Sequence, residues 1–445
     1  MFYYLKLLRC LIICIIIHQS SALNELERSD DDAVNYVQRI SRADVHEFKE
    51  RIPLLASRAD LIKRNPVHHH HEHEVTFVVR QNNLDELVRV LNDVSDPVSP
   101  NYGQHWSSEQ VASLTRNIEA RNSIVAYLLA KGASVVSESP RGEYITAIAP
   151  ISTWEEVLNT QFFTFHQRQH NGDITQLVRA EAYSVPKALD KHIMCVLNAI
   201  EIPVIRSEGR IEPMNQGRSE HGFKSSATEI ILDPATIKDY YNLSYVSGSS
   251  SSTQAAFSIG ENYFSPKSLK YFQQYISKQP LQDGLNVGGF VSDDASKSSY
   301  TESATTMQYM MGISPGSPTT FWHSADGTTS WLYTIAGLTD PPRVMTITFG
   351  QDESLITDGE NMAFTQAAQA LGVMGVTILV ASGDDGVHSQ DAKGNKDKCG
   401  YQPLFPATNP YVTAVGATSV STGLPLFKEH YDLTSFCCLS NTLFC

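Results

Sequence analysis

The amino-acid sequence predicts an α/β protein of two units in tandem: an α+β unit, then a unit built on a parallel sheet flanked by helices. Three observations carry this expectation. The chain has 445 residues, 42% of them hydrophobic, enough to fill more than one core. From Glu74 onward, period-2 apolar runs alternate with stretches of helical periodicity. Between Ser207 and Thr228 the composition turns polar, charged and Gly-containing, with Arg210, Gly217, Arg218 and Lys224, and a new globular pattern starts near Ile230.

In the first unit, Glu74 to Arg80 alternates as a strand. Leu84, Leu87, Val88, Leu91 and Val94 then repeat at helical spacing, and Asp96-Pro97 ends that helix. Ser107 with Gln110 forms a capping box for a second helix. A third runs through Ile124, Val125, Leu128 and Leu129 and stops at Gly132, a residue suited to the left-handed position after a helix. A strand over Tyr144 to Ala149 and a helix around Trp154 to Leu158 complete the alternation. In the second unit, Val344 to Phe349 is an apolar β-run, Met362 to Leu371 has helical spacing, and Val376 to Ala381 is a second buried run. That order predicts a βαβ crossover. Such sheets place ligands beyond the carboxyl ends of their strands, where Gly350 to Glu353 and Ser382 to Gly386 fall.

At the N-terminus, Lys6 and Arg9 flank a short apolar run through Leu11, Ile12, Ile13 and Ile15 to Ile17. Ser20 and Ala22 stand at small-residue spacing for cleavage. The run is shorter than the roughly 20 apolar residues of a membrane span, so residues 1–22 read as a removed secretory signal, with an uncleaved anchor as the alternative. No membrane partner is expected. Cys10 and Cys14 leave with that signal. The remaining Cys195, Cys399, Cys437, Cys438 and Cys445 match neither a disulfide framework nor a metal-ligand spacing, so no metal is assigned. A formal charge of −14 without any basic stretch excludes nucleic acid as a partner. Asn242-Leu243-Ser244 is a glycosylation sequon, which suits a secretory compartment.

Several motifs occur in a fixed order. Ser95-Asp96-Pro97, Ser99-Pro100-Asn101-Tyr102-Gly103 and Tyr183-Ser184-Val185-Pro186 lie in the first unit. Leu232-Asp233-Pro234 with Tyr241-Asn242, Thr346-Ile347-Thr348-Phe349-Gly350, Ala381-Ser382-Gly383-Asp384-Asp385-Gly386 and Phe405-Pro406-Ala407-Thr408-Asn409-Pro410-Tyr411-Val412 lie in the second. The chain so read resembles the sedolisin family of serine-carboxyl peptidases over about three quarters of its length. The resemblance implies an activation propeptide over 66–205 and a linker with a maturation cleavage over 206–228. It implies a subtilisin-like peptidase domain over 229–445 that stops before the family's C-terminal region. It also implies entry to the secretory pathway, with a secreted or lysosomal/vacuolar destination, peptide or protein substrates for full-length relatives, and a propeptide that packs on the catalytic domain.

The chemistry implied is acyl transfer in acid, by a serine nucleophile, a glutamate base, an aspartate supporting that glutamate and a second aspartate in the oxyanion site. A carboxylate base takes the serine proton at a pH where histidine is already protonated. An oxyanion-site aspartate donates a hydrogen bond only while protonated. Glu302 falls at the glutamate position and opens a helix whose Ala304, Met307 and Met311 are core-spaced and which is expected to end at Gly312. The supporting aspartate would lie one helical turn on, on the same face, and Thr306 stands there instead. Threonine can hydrogen-bond a carboxylate but cannot share its proton. Asp293 and Asp294 are nearby in sequence as possible replacements. Asp384 falls at the oxyanion position. Apart from the resemblance, Glu302 reads as a solvated first-turn residue complementing the helix dipole, and Asp384 as a strand-end turn residue.

The nucleophile would sit in a Gly-Thr-Ser segment well downstream, followed by a calcium site near the family's C-terminus, and neither occurs in this sequence. No nucleophile is therefore present and no cofactor is assigned. Gly416-Ala417-Thr418-Ser419 is a structural turn in the family. Gly312-Ile313-Ser314-Pro315-Gly316 matches a nucleophile elbow, but Pro315 has no N–H to give an oxyanion, and the segment reads as a helix stop. His68 to His71 with Glu72, His73 and Glu74 could bind a divalent metal or titrate in acid, against the simpler reading of a solvated segment. His323 near Asp326 makes no triad by spacing alone. Two functional classes follow: a peptidase, expected to be inactive as these 445 residues stand, or a non-catalytic binder or inhibitor of related peptidases.

Overall fold

The computed structural model describes residues 45–416 apart from 59, 169–173, 204–231, 244, 246, 261, 295–296, 298–301, 325–326 and 384–401. The signal over 1–22 and the break over 206–228 lie outside the described residues.

The first unit begins earlier than the sequence pattern indicates. Strands β1 (His46–Arg51) and β2 (Leu61–Pro66) precede β3 (Glu72–Val79), which leads into helix α1 (Leu84–Ser95). Neither β1 nor β2 alternates apolar and polar residues, which is why no strand periodicity marks them. Helix α2 (Ser108–Thr115) starts at the expected capping box, with both reciprocal hydrogen bonds made. Helix α3 (Ile118–Ala130) is capped by Asn117 and is followed by Gly132 at φ 81°. Strands β4 (Ser134–Glu138) and β5 (Tyr144–Pro150) and helix α4 (Ile151–Val157) follow. Then come β6 (Phe162–Arg168), β7 (Ile174–Ala180), β8 (Ala182–Pro186), the short α5 (Lys187–Asp190) and β9 (Ile193–Leu197).

These strands make a four-stranded antiparallel sheet in the order β4-β5-β3-β9, a three-stranded sheet β2-β6-β7 and a β1-β8 pair. Both faces of the β3 sheet are apolar. On one, Val75, Phe77 and Val79 join Ile124, Leu128, Trp154 and Phe162 in the unit's own core. On the other, Val78, Tyr144, Cys195 and Leu197 pack on Ala363 of the second unit. A strand with both faces covered carries a near-continuous apolar run, as Val75 to Val79 does.

The second unit opens with α6 (Pro234–Tyr240), capped by the Asp233 carboxylate on Thr236 N at 2.7 Å. Its elements continue as β10 (Gln254–Ser258), α7 (Pro266–Tyr271), β11 (Leu285–Val287), α8 (Glu302–Ile313), β12 (Thr319–His323), α9 (Thr328–Ala336), β13 (Val344–Ile347) and β14 (Gln351–Asp352). Helix α10 (Asp358–Val373), β15 (Thr377–Ala381), β16 (Leu404–Phe405) and β17 (Thr413–Val415) complete it. Six strands form one parallel sheet in the order β11-β12-β10-β13-β15-β17. The expected βαβ crossover is β13, α10 and β15, with Val344 opposite Thr377. Strand β15 pairs with β13 on one side and β17 on the other. Phe257, Trp331, Ile347, Phe364, Leu371 and Val380 fill the core beside α9 and α10, and Phe264, Met307, Met311 and Phe321 the core under α8.

Helix α8 begins at Glu302 as expected but ends at Ile313, one residue past the expected stop. Gly312 is buried within its last turn, where a Cβ would come 2.6 Å from Pro234 and 3.3 Å from Phe272. The glycine serves close packing, and Ser314-Pro315 ends the helix.

Candidate active site and the seam between the units

The carboxyl ends of β10, β12, β13 and β15 open on one edge of the parallel sheet, where such folds bind ligands. Glu302 is brought to that edge by its neighbour. The Ser303 hydroxyl lies 2.7 Å from the Ser258 hydroxyl at the end of β10, both buried, and Ser258 also donates to Asn262 O. This contact fixes the first turn of α8 over β10. Gly383, at φ 101°, follows β15 at the same edge. Strand β13 lies between β10 and β15, so the ends of those two strands stand on the order of 10 Å apart, two strand spacings. Asp384 itself lies outside the described residues. Thr306 is half-buried on α8, one turn after Glu302.

Asp293 is not available to replace the missing aspartate. Its carboxylate accepts from Lys267 N and Ser265 Oγ, each at 2.9 Å, at the start of α7, and those hydrogen bonds hold it below the usual carboxylate range. The Ser314 turn closes between α8 and β12 at the opposite end of the sheet, with Ser317 N donating to Ser314 O, which removes the nucleophile-elbow alternative. His323 stacks on Phe290 at 3.6 Å with Nε2 2.7 Å from Gly260 O, and burial lowers its pKa. Asp326 lies outside the described residues. Asn242 is exposed just after α6 at φ 54°, and Ser244 of its sequon lies outside the described residues.

The histidine segment forms a turn closed by His71 N on His68 O, with His69 beside Glu155 at 3.4 Å. Among the described residues no three His, Cys, Asp or Glu side chains are placed to hold a metal ion. His73 is buried, and burial above all, with the charges of Arg179 and His71, lowers it to about 4.

A second feature is a seam between the units, centred on α10. At its start, Gly359 N donates to Glu50 Oε1 at 2.5 Å and Cys195 Sγ donates to Gly359 O at 3.4 Å. Glu50 Oε2 accepts from the Tyr183 hydroxyl at 2.8 Å. At mid-helix the Tyr144 hydroxyl reaches Ala363 O at 3.4 Å, and the Tyr144 ring stacks on Tyr333 at 4.3 Å. At the far end Trp106 N donates to Val373 O at 3.0 Å, while Leu87 and Val111 pack on Ala370, Val373 and Met374. The buried Arg141–Glu143 pair lies beside Met374, with Arg141 Nη1 3.4 Å from its sulfur. Glycines permit this approach: a Cβ at Gly359 would meet Glu50 Oε1 at 2.5 Å, and one at Gly372 would meet Leu91 at 2.7 Å. Sequence reasoning missed Glu50, Gly359 and Glu360. Their only local signal is Asp358-Gly359-Glu360 at a helix start, which says nothing of a partner 309 residues away.

The sequence model of the family described as "Pro-kumamolisin, activation domain" matches residues 59–201. Tripeptidyl-peptidase 1 of Rattus norvegicus is 28% identical over 381 residues, covering 82% of this chain and 64% of the relative. That of Homo sapiens is 28% identical over 378 residues with the same coverage. The relatives of this chain are sedolisin-family peptidases. It spans 64% of the length of these sedolisin relatives. Among solved structures, Pseudomonas sedolisin (serine-carboxyl proteinase) is similar at 22% identity and TM-score 0.36, covering 44% of this chain and 56% of the other. A Staphylococcus aureus epidermin leader peptide processing protease is similar at 13% identity and TM-score 0.36, covering 77% of this chain and 70% of the other. The likeness to sedolisin peptidases rests on the sequence matches. Residues 59–201 match the activation-domain model, and the seam is where they meet the rest of the chain. No helix among the described residues is long and apolar enough to cross a membrane.

Proposed function

We propose that this chain is the precursor of a sedolisin-type serine-carboxyl peptidase that enters the secretory pathway for a secreted or lysosomal destination. Its activation domain is docked on a subtilisin-like peptidase domain until the linker over 206–228 is cut. The observation that carries this reading is the seam, where an activation domain lies along the whole of α10 beside the sheet edge that holds Glu302. In it Glu302 takes the proton of a serine as that serine attacks a peptide carbonyl, and protonated Asp384 donates to the oxyanion. Peptide bonds, in tripeptide release or internal cleavage, are the substrate class.

A second reading, a non-catalytic binder of related peptidases, is favoured by Thr306, which stands where the family has its supporting aspartate. Both readings predict no turnover for residues 1–445 assayed after acid treatment on tripeptide-releasing and endopeptidase substrates, because no Gly-Thr-Ser segment occurs among them. Turnover abolished by Glu302→Ala would contradict that expectation. A transcript that continues in frame past Ser435 into such a segment separates the two readings. Under the first its product cleaves peptides in acid, Glu302→Ala removes the activity, and Thr306→Asp raises kcat by at least about tenfold. Under the second that product gives no turnover and instead inhibits an active relative.

A further inference from the structure

The turn between β2 and β3 carries four histidines in succession, His68 to His71, and neither reading of the function uses them. Its backbone is fixed from three sides. His71 N donates to His68 O at 2.9 Å and closes the turn, and Val67 N just before it donates to Phe162 O at 3.0 Å. The start of α4 holds it from the side, with Ile151 N donating to His71 O at 2.8 Å and Ser152 N to His69 O at 3.1 Å. A site on such a frame needs little ordering of the chain when it takes a ligand.

All four side chains stand exposed on this frame, and those of His68 and His70 meet. Their ring centroids are 5.5 Å apart, with the planes inclined at 49°. Two imidazoles bound to one tetrahedral metal ion at about 2.0–2.1 Å bring their centroids to about 5 Å, so small side-chain rotations carry this pair into a chelating position. His70 N donates to His68 Nδ1 at 3.3 Å, so that nitrogen presents a lone pair in the neutral ring, and a metal ion taken there displaces a long contact. His69 is engaged elsewhere, with Nδ1 3.4 Å from Glu155 Oε2, while Glu155 Oε1 accepts from Phe162 N at 3.1 Å. The local charge suits a cation: Glu155 flanks the turn, Glu72 and Glu74 follow it, and no lysine or arginine occurs between Asn65 and Val79.

We propose that His68 and His70 form a binding site for a transition-metal dication, zinc or copper(II), with water completing its coordination. Imidazole nitrogen suits these ions, whereas calcium and magnesium take oxygen ligands. Chelation across the turn fixes its conformation against α4, and an ion that binds only the folded turn stabilises the first unit by mass action. The site stands on the geometry of the turn and holds under either reading of the function.

The test is titration of the full chain with zinc chloride near neutral pH, followed by calorimetry and by the NMR signals of the histidine rings. Zinc is expected to shift the His68 and His70 rings together and to leave those of the buried His73 and His192 in place, and calcium to shift none of them. Loss of a partner one shell out from a metal costs about 10–100-fold in affinity, so loss of a ligand, in His68→Gln or His70→Gln, should weaken binding by at least about tenfold. His166→Gln, on β6 beside Arg64, should leave that affinity unchanged. Saturating zinc should also slow exchange of the Ile151 and Ser152 amides, which hold the turn, in the unaltered protein and not in the His68→Gln/His70→Gln double variant. Amides of β3 that bond β5 report whether each variant is folded. Stationary His68 and His70 signals, an undiminished affinity at the turn in the double variant, or unchanged Ile151 and Ser152 exchange at saturation overturns the site.

Discussion

Replacing Gly359 by valine is expected to detach the activation domain from α10. The glycine has no left-handed backbone to protect, so the helix itself tolerates a side chain there. What does not tolerate it is the partner surface, with Glu50 Oε1 2.5 Å from where a Cβ would stand and Cys195 Cβ equally close. Overpacking a closed site costs about 1–3 kcal/mol, and here the shift also breaks the Gly359 N–Glu50 and Cys195–Gly359 O hydrogen bonds. Together these should weaken docking by about a hundredfold or more. Exchange protection at Trp106, at the other end of the helix, reads the result without touching the altered position. Unchanged protection there would mean that the seam is not one cooperative contact.

Acid is expected to loosen the activation domain from within, through His73. Its Nε2 lies 2.9 Å from Asn198 O, so that nitrogen carries the hydrogen in the neutral ring, and the Trp154 indole donates to His73 O at 2.8 Å. Burial lowers the folded value from 6.5 to about 4. A base whose folded value is depressed contributes stability that is present above about pH 6.5 and is lost as pH falls toward 4, because the unfolded chain takes up the proton first. The difference amounts to about 3 kcal/mol. His73→Gln keeps a neutral donor in place and removes the titration. Over this window, exchange protection of β3 and β5 amides should fall in the unaltered protein and fall markedly less in the variant. Equal losses in both would assign the acid sensitivity to other groups.

Local rules were legible in the residues themselves. The Ser107–Gln110 box, the Gly132 stop, the Asp233-Pro234 cap and the β13–α10–β15 crossover each depend on partners a few residues apart or on one run of periodicity. Glu302 was placed by motif order, and Ser303 on Ser258 accounts for its position at the sheet edge. Strands β1 and β2 were not legible, because they lack alternation and exist by pairing with β8 and β6, more than 90 residues away. Gly312 read as a helix end by propensity, and packing against Pro234 and Phe272 decided otherwise. The depressed His73 and the close approach at Gly359 depend on burial by residues from the other side of a sheet or of the seam. Charge and hydrogen-bonding capacity belong to the residue, but desolvation belongs to its surroundings, and only the tertiary structure decides which groups lose their water.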